Sequence, residues 1–560
     1  MGIFDGLTTY SDQEFSRFLR GVFLASAGYD EQDLNRPIVA IAHTISDYTT
    51  CHRGMPQLVD AVSRGVLEAG GLPMVVPTMS LPEVLVAPTS MLYRNLLAMA
   101  TEETLRSHPM DAVVLVGGCD KTVPAQIMAA VSADLPFVQL VVGPMLTSSL
   151  AGERIGACSD CRRFWAEYRG GNLSLSWLEE AGNRLATTSG TCMVMGTAST
   201  MAALAEVLGV ALRHSATAPS PTGDRLRIGL DSGRVAVEAA RRDWRPSRYL
   251  THESFLNAAT VLCALGGSTN AVLHLLAIAG RAEIELTLDQ IGETAAEVPV
   301  LVDCKPVGTK FLEDLHYAGG LPAVLSVLRN LLHLDARMVE GGTLGQRLAS
   351  PETSPDVTGV VRTADDPVLP GGGLVVLKGS LAPRGAVLKL AGTDPTLRRH
   401  RGPALVFDSP EEASWRLNDP DLVVTREHVL VLRNIGPIAA GMPEAGSLPI
   451  PVRLARAGVR DMVRVSDGRM SGTASGTVVL HVTPEAAARG PLALVEDGDV
   501  IELDVDAARL DLCVAPHELE HRSARLQPMD GATRGWRQLY AKTVLQADQG
   551  ADLDFLVGRR

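Results

Sequence analysis

The sequence predicts an α/β fold in two parts. The first is an α/β/α domain with a mostly parallel sheet, because short buried strand patterns alternate with helix patterns along it. The second is a β-rich, barrel-like domain with flanking helices, because short strands between Gly, Pro and Asp turns predominate there. A stretch rich in Gly, Pro, Ser and Asp, residues 340–373, lies between the two patterns and predicts domains at 1–370 and 371–560.

Composition narrows the classes of function. The chain has 560 residues and a net charge of −13 without a long basic run, which argues against nucleic acid or an anionic membrane as the main partner. The N-terminus lacks the basic and apolar regions of a signal peptide, and no apolar run is long enough to span a bilayer. We therefore expect a cytoplasmic protein whose eight cysteines are ligands, catalysts or core residues rather than disulfides.

The first domain contains four predicted strands, at 37–42, 72–76, 111–116 and 137–142, with helices predicted at 56–68 and 89–107. Three polar side chains, Cys51, Glu83 and Cys119, each follow one of these strands. Because the carboxyl ends of parallel strands share one edge of a sheet, these side chains could meet there.

The third strand leads through two glycines into Cys119-Asp120-Lys121. A thiol, a carboxylate and an amine thus stand together at the kind of sheet edge where ligands bind. Thr122 is predicted to cap the following helix, with Pro124 in its first turn. A buried cysteine beside a surface Asp–Lys pair is an alternative that this stretch alone leaves equally open.

Two apolar helices follow, predicted at 187–212 and 265–279. Cys192 would lie at or near the start of the first, where the helix dipole favours a thiolate; a buried helix cysteine is the alternative. The second is entered through a Gly-Gly turn, and Ser268 or Thr269 could cap it or contact an anion. His274 lies on its apolar side and is predicted to be a core histidine. A broken helical pattern covers 313–334.

The second domain carries predicted strands at 374–377, 386–390, 404–407, 422–424, 429–432, 462–465, 477–482 and 500–505. Two of its loops could be functional. One, residues 434–443, precedes Glu444; the other, SDGRMSGTASG from Ser466 to Gly476, could hold a carboxylate or phosphate through backbone N–H groups. An ordinary hairpin loop is the alternative for the latter.

Cys158 and Cys161 form a CxxC pattern, which is a metal or redox pattern in other contexts. No second CxxC exists, and no redox-domain pattern surrounds this one. We therefore expect the pair to lie in a polar loop and to have no role.

Several short motifs occur in a fixed order: Cys51 in a polar loop, GGCDK at 117–121, Gly-x-Cys at 190–192, GGSTN at 266–270, GMPE at 441–444 and DGR-x-SG at 467–472. As an ordered set they resemble the dehydratase family that includes dihydroxy-acid dehydratase, 6-phosphogluconate dehydratase and the aldonic (sugar) acid dehydratases. The resemblance covers roughly residues 36–530.

The resemblance implies two metal cofactors. An iron–sulfur cluster would be held by Cys51, Cys119 and Cys192, which leaves one iron position open as a Lewis acid. Beside it, the family places Mg²⁺, a cation that prefers oxygen ligands. A lysine amine offers none, but its carbamate does, and burial favours the neutral amine from which a carbamate forms. The implied magnesium ligands are Glu83, Asp120, Lys121 as a carbamate, and Glu444.

The same resemblance implies catalytic roles for Ser471 and Lys121. Ser471 would remove the C2 proton of a substrate whose carboxylate and C2 hydroxyl bind Mg²⁺, the C3 hydroxyl would depart to the open iron, and the enol would tautomerise to a 2-keto-3-deoxy acid. The first domain would then supply the cluster ligands and most magnesium ligands, and the second would supply Glu444 and Ser471.

The segment TSGTCMVMGTASTMAALAEVLG is similar to the aldonic acid dehydratase branch, as are MLYRNLLAMATEE and LHYAGGLPAVL. That branch implies a [2Fe–2S] cluster, with [4Fe–4S] as the alternative, and a pentonate or hexonate substrate. Dihydroxy-acid dehydratase of branched-chain amino-acid synthesis is the alternative function, and a non-catalytic redox or regulatory iron–sulfur protein is a further one. By the same resemblance we expect a homodimer or homotetramer.

Overall fold

A four-stranded parallel sheet forms the centre of the N-terminal part of the protein. The computed structural model describes residues 12–349, 358–527 and 531–558. The strands run in the order β2-β1-β3-β4, and every pairing is parallel. The prediction of four strands in this region is confirmed, with ends shifted by one residue in most cases: β1 (Ile38–His43), β2 (Leu72–Pro77), β3 (Ala112–Gly117) and β4 (Phe137–Val141).

Helices cover both faces of this sheet and continue into an all-helical layer beyond it. The helices of this part are α1 (Gln13–Ala25), α2 (Glu31–Leu34), α3 (Met55–Glu68), α4 (Met91–Ser107), α5 (Cys119–Ala133), α6 (Ser159–Arg169), α7 (Leu175–Leu185), α8 (Thr197–Val207), α9 (Gly223–Arg241), α10 (His252–Ala264), α11 (Asn270–Arg281), α12 (Leu288–Glu297), α13 (Leu312–Tyr317), α14 (Gly320–Val327) and α15 (Leu344–Leu348). A short hairpin, β5 (Ser148–Leu150) and β6 (Glu153–Ile155), precedes α6.

The helix after β3 starts earlier than predicted. Its first residue is Cys119 and its N-cap is Gly118, so Thr122 lies inside the helix and does not cap it. Pro124 lies in the second turn. The Gly-Gly break is required by close packing at this start, because a Cβ would lie 2.2 Å from Gln126 Oε1 at Gly117 and 2.4 Å from Val142 Cγ2 at Gly118.

An eight-stranded mixed sheet forms the C-terminal part. Its order is β14-β13-β9-β10-β11-β12-β8-β7, with parallel pairing from β9 to β12 and antiparallel pairing at both ends. A bridge between Lys378 and Arg509 joins the edge strands and nearly closes the sheet into a barrel. The strands are β7 (Val375–Leu377), β8 (Gly385–Leu388), β9 (Arg399–Phe407), β10 (Val429–Leu432), β11 (Arg464–Ser466), β12 (Val478–Thr483), β13 (Val500–Asp504) and β14 (Arg509–Leu512).

The predicted mixed α/β fold with a barrel-like second part is therefore confirmed. The strand predicted at 422–424 is wrong: these residues form no strand, and Val424 is buried in a loop against the apolar layer beneath α16. The edge strand β14 was not predicted. The remaining helices are α16 (Pro410–Asn418), α17 (Pro437–Ala440), α18 (Val452–Arg456), α19 (Pro516–Arg525) and α20 (Gly535–Thr543).

The two parts are joined through more than one segment. The end of the chain packs back on N-terminal helices, where Arg281 of α11 forms a fully buried ion pair with Asp552 at 2.5 Å. Arg94 of α4 donates to the carbonyl oxygens of Gly550 and Ala551, both at 2.9 Å. Within the described residues, no helix has the length and apolarity needed to cross a bilayer.

Candidate active site

The carboxyl edge of the N-terminal sheet faces a cavity of about 450 Å³. Cys51 lies in a turn after β1, Glu83 in the loop after β2, and Cys119 at the start of α5 after β3. All three line the cavity, which confirms that these strands bring them to one edge. The cavity lies between the two parts of the protein, since Glu444 and Ser471 of the C-terminal part also line it.

Cys192 reaches this edge by extending the sheet. Thr191 forms a parallel bridge with Pro144, which follows β4; its N–H donates to Gly143 at 2.9 Å, and its carbonyl accepts from Met145 at 2.9 Å. Gly190 has φ +121, and a Cβ there would lie 2.8 Å from the Gly143 carbonyl oxygen. The close approach of the two chain segments therefore requires glycine at position 190.

The prediction that Cys192 sits at a helix N-terminus is wrong, because α8 begins only at Thr197. The bridge between Thr191 and Pro144 holds the chain next to Cys192 in an extended conformation. The expected stabilisation of a thiolate by the helix is also absent. Instead, the neighbouring Cys158 thiol and burial raise the pKa of Cys192 well above its usual value.

Cys51 and Cys119 form a thiol pair. The hydrogen bond from Cys119 lowers the pKa of Cys51, and the same bond, with burial, raises the pKa of Cys119 well above its usual value. Cys119 has φ 67, a conformation that few residues other than glycine adopt. Such conformations persist mainly where the surrounding structure enforces them, often at functional sites.

Three carboxylates form a second cluster beside the thiols. Oxygen atoms of Glu83, Asp120 and Glu444 all lie within 4.8 Å of one another. Burial raises the pKa of Asp120 to about 7; Glu83 and Glu444 add to this shift and Lys121 opposes it. Closely spaced carboxylates of this kind repel one another unless cations neutralise them.

Two buried cations neutralise this cluster. The Lys121 amine is fully buried, 2.8 Å from Glu83 and 3.9 Å from Asp120. Arg469, also fully buried, contacts Glu83 at 3.1 Å and Glu444 at 2.5 Å. Although burial alone would raise the pKa of Glu83, Lys121 and Arg469 hold it well below its usual range. Arg469 thereby links carboxylates from both parts of the protein.

Ser471 lies in the Gly-rich loop between β11 and β12. Its hydroxyl is 2.9 Å from that of Thr473, which accepts a hydrogen bond from Arg162 Nε at 3.4 Å. Gly472 packs against the other part of the protein, where a Cβ would lie 2.6 Å from Ser268 Oγ. This loop therefore forms a wall of the cavity rather than an ordinary hairpin turn.

The GGSTN segment supports the site from behind. Asn270 Nδ2 is 3.4 Å from Glu444 and 3.1 Å from Thr197 Oγ1. Ser268 hydrogen-bonds Thr197 at 2.9 Å, and Thr269 occupies the N-cap of α11 without a side-chain cap bond. His274 is fully buried and contacts Arg94 at 3.1 Å, as predicted for a core histidine.

Several residues of the site were not predicted from the sequence. Arg469 and Asn270 belong to the DGR-x-SG and GGSTN motifs. A charged or amide side chain inside such a motif could have identified each of them as a candidate site residue. Arg162 and Thr473 carried no comparable signal. The pair Cys158 and Cys161 was expected in a polar loop without a role; instead, Cys158 is the N-cap of α6, Cys161 lies in its first turn, and both residues line the cavity.

Comparison with known proteins agrees with this geometry. The N-terminal domain described as dihydroxy-acid/6-phosphogluconate dehydratase matches residues 36–347, and the C-terminal domain of the same description matches 359–551. Together these matches cover most of the chain. The protein therefore belongs to the dihydroxy-acid/6-phosphogluconate dehydratase family, a family of enzymes, as its motifs indicated.

Individual relatives align over nearly their full lengths. A 6-deoxy-6-sulfo-D-gluconate dehydratase of Pseudomonas putida is 45% identical over 94% of this chain and 91% of its own. An L-arabinonate dehydratase of Rhizobium leguminosarum bv. trifolii is 43% identical, over 96% and 93%. A dihydroxy-acid dehydratase of Pyrobaculum calidifontis is 39% identical, over 95% of both chains.

The donor atoms fit the two implied cofactors. Sulfur atoms of Cys51, Cys119 and Cys192 line one side of the cavity, and thiolates are the usual ligands of iron–sulfur clusters. Grouped carboxylate oxygens suit Mg²⁺. The soft and hard donors are adjacent but separate, so each cofactor meets the ligand type that it prefers.

We predict that Glu444→Gln weakens Mg²⁺ binding on the order of 10-fold or more, because it removes one charged oxygen donor from the three-carboxylate cluster. Binding of Mn²⁺, as a spectroscopic substitute for Mg²⁺, measures this by electron paramagnetic resonance. Glu411→Gln, an exposed change on α16, is the matched control. Equal affinity in both variants would contradict a metal site at the carboxylates.

Proposed function

We propose that the protein is a hydro-lyase that dehydrates a sugar acid, a pentonate or hexonate, to a 2-keto-3-deoxy acid. One observation carries the proposal: three thiols, three carboxylates and Ser471 face a single cavity between the two parts of the protein. The names of the relatives support the substrate class, since sugar-acid dehydratases are 42–45% identical to this chain and the dihydroxy-acid dehydratases are 35–39% identical.

Both cofactors have residues to hold them. Cys51, Cys119 and Cys192 would hold a [2Fe–2S] cluster, with [4Fe–4S] as the alternative, and Glu83, Asp120, Glu444 and Lys121 as a carbamate would hold Mg²⁺. When bound, the two cofactors supply Lewis acidity toward the oxygen atoms of the substrate.

The charges around Lys121 make carbamate formation depend on the binding of a divalent cation. Carbamate formation would turn this buried cation, now 2.8 Å from Glu83, into an anion. Four negative groups would then share the space, with Arg469 as the cation that still contacts Glu83 and Glu444. A divalent cation restores the balance, so carbamate and Mg²⁺ are expected to form together.

Ser471 is proposed to remove the proton from C2. A free serine hydroxyl is a weak base, so the site must favour its alkoxide. Thr473 is positioned to donate a hydrogen bond to Ser471 Oγ, at 2.9 Å, and the Arg162 guanidinium lies next to Thr473. Both contacts would stabilise negative charge on Ser471. After the C3 hydroxyl departs, the enol product tautomerises to the keto acid.

Arg162 is also proposed to attract the substrate. Among the described residues that line the cavity, it alone has a cationic side chain at the wall, since Lys121 and Arg469 are buried behind the carboxylates. Trp165, half-exposed and one helical turn further along α6, lines the same wall. This wall offers one charged group and one apolar surface to an anionic sugar chain.

We also propose that the protein forms a homodimer or homotetramer. The support is the outer face of α1, where Phe15, Phe18 and Phe23 are 47–68% exposed on one helix. Large apolar side chains clustered on a surface commonly mark a protein interface. Sedimentation of the wild-type chain and of Phe18→Ser/Phe23→Ser would test this: we expect a dimer or tetramer in the first and smaller species in the second.

The function is tested with anaerobically purified protein, assayed for iron, sulfide and 2-keto acid formation from pentonates and hexonates with Mg²⁺. We predict that Ser471→Ala lowers kcat about 10²- to 10⁴-fold, the range for loss of a general base, with iron and magnesium content unchanged. Ser475→Ala, an exposed serine in the same loop, is the control.

Wild-type activity in Ser471→Ala would refute the proposed base. Turnover of 2,3-dihydroxyisovalerate in preference to every aldonate would replace the proposed substrate class by the branched-chain one. A coloured iron protein that dehydrates neither substrate would favour the redox alternative, although an electron carrier would need neither Ser471 nor Glu444.

We predict that Arg162→Gln raises the KM for the aldonate on the order of 10- to 100-fold, because a charge-assisted hydrogen bond contributes roughly 1.5–3 kcal/mol. Arg162→Lys keeps the charge and should lie between Gln and wild type. Arg184→Gln, an exposed arginine of α7, is the control in steady-state assays. An unchanged KM in Arg162→Gln would exclude contact with the substrate.

A further inference from the structure

Cys158 places a fourth thiol beside the three cysteines that match the family motif. It lies beside Cys192, since both residues line the same cavity and pack against the same apolar cluster. Cys51 and Cys119 line that cavity as well. The nearness within each pair also affects the thiols, because Cys158 raises the pKa of Cys192 and Cys51 raises the pKa of Cys119. The four thiols therefore form two neighbouring pairs, Cys51 with Cys119 and Cys158 with Cys192.

The local structure fixes Cys158 in this position. It is the N-cap of α6, and its backbone N–H donates to Cys161 Sγ at 3.3 Å. Cys158 and Cys192 pack against the same apolar cluster, which includes Met193 and Phe311. The two cysteines thus belong to one packed wall of the cavity.

The backbone conformation of Cys158 argues that its sulfur has a purpose. Its φ is 78, in the left-handed region, where glycine or asparagine would be the ordinary choice. A residue selected only to make this turn would not need a thiol. The side chain is half-buried and packs against the same apolar residues as Cys192, which the family motif assigns to the iron–sulfur cluster.

The pairing matches the ligand arrangement of one cluster type. A [2Fe–2S] cluster with four cysteines binds two thiolates at each iron. The two thiolates on one iron lie next to each other, as Cys158 and Cys192 do on one wall of the cavity. Three cysteines alone would leave one iron a ligand short, and Cys158 is the neighbour of Cys192 that could complete it.

We propose that Cys158 is the fourth thiolate of a two-iron cluster in the substrate-free enzyme, sharing one iron with Cys192 while Cys51 and Cys119 share the other. This rests on the proposed function, because it assumes that the cluster is bound. Cys158 would yield its position when the sugar acid enters the cavity; its sulfur would keep both bonding electrons and take up a proton from solvent.

Cys161→Ser provides a matched control. Cys161 lies one turn further along α6, is exposed and lines the same cavity, and its sulfur accepts a hydrogen bond from the Cys158 N–H. Serine removes the thiol but keeps a side-chain acceptor for that N–H, so the position of Cys158 is preserved. If the loss of any thiol from this wall disturbs the cluster, the variants of Cys158 and Cys161 will both show the effect. If Cys158 is a ligand, only the Cys158 variant will show it.

The test uses the full chain, purified without oxygen and loaded with iron enriched for Mössbauer spectroscopy, as wild type, Cys158→Ala and Cys161→Ser. We expect both irons of the wild type and of Cys161→Ser to have only sulfur ligands. We expect Cys158→Ala to keep its iron but to show one iron with an oxygen or nitrogen ligand, and to lose its cluster several-fold faster in air.

A second measurement needs no variant. Addition of an aldonate to the wild type should convert one all-sulfur iron into one with an oxygen ligand, which keeps the test valid if Cys158→Ala fails to fold. A wild type that already has a non-sulfur ligand on one iron, with the same spectrum in Cys158→Ala, would overturn the role of Cys158 and leave the proposed function intact. Absence of iron from the wild type, or zinc in its place, would overturn both.

Discussion

Buried charge between the two parts of the protein is the constraint on which the site depends. Arg469, from the barrel-like part, contacts Glu83 of the sheet part and Glu444 of its own part, while Lys121 contacts Glu83 from the opposite side. Removing one partner from a buried ion pair typically costs about 3–5 kcal/mol, because the remaining charge loses both water and its partner. The packing of the two parts and the geometry of the carboxylates are therefore fixed by the same contacts.

A single helix start divides the donors into two kinds. Cys119, Asp120 and Lys121 are consecutive, and α5 begins at the first of them. Cys119 has a φ of 67 and so departs from the helical geometry that Asp120 and Lys121 follow; its thiol joins the cysteines of the cavity wall, while the carboxylate and the amine join Glu83. The left-handed conformation of Cys119 lets this happen directly at the sheet edge. A soft-donor site and a hard-donor site can thus adjoin without mixing their ligands.

Helix α6 gives this cavity features that the family motifs do not contain. The helix and its N-cap supply Cys158, Cys161, Arg162 and Trp165 to the cavity that Ser471 also lines. Of these, Cys158 packs against the same apolar cluster as Cys192, and Arg162 donates to Thr473, the neighbour of the proposed base. The family motifs therefore supply the sheet edge and the two C-terminal loops, whereas α6 supplies a further wall of the site.

The sequence by itself determined the fold class, the strands β1 to β4 and the ordered motifs that identify the family. Strand and helix patterns depend on neighbouring residues, so they can be predicted from short stretches of sequence. A residue that follows a parallel strand must lie at the carboxyl edge of the sheet. The meeting of Cys51, Glu83 and Cys119 at that edge therefore followed from local information. The domain limits at 370 and 371 remain a prediction. The ligand set came from resemblance, since spacings of tens of residues carry no local metal pattern.

Only the tertiary structure decided which distant groups touch. The extended conformation next to Cys192 depends on the bridge between Thr191 and Pro144. The apolar helical pattern that follows Cys192 in the sequence does not indicate this bridge. The positions of Arg469 and Asn270 depend on contacts across the two parts, and that of Cys158 on a turn with an unusual φ. A pattern-based argument set Cys158 aside, because the sequence shows a CxxC without a second one, whereas Cys51, Cys119 and Cys192, which line its cavity, come from three other segments of the folded chain.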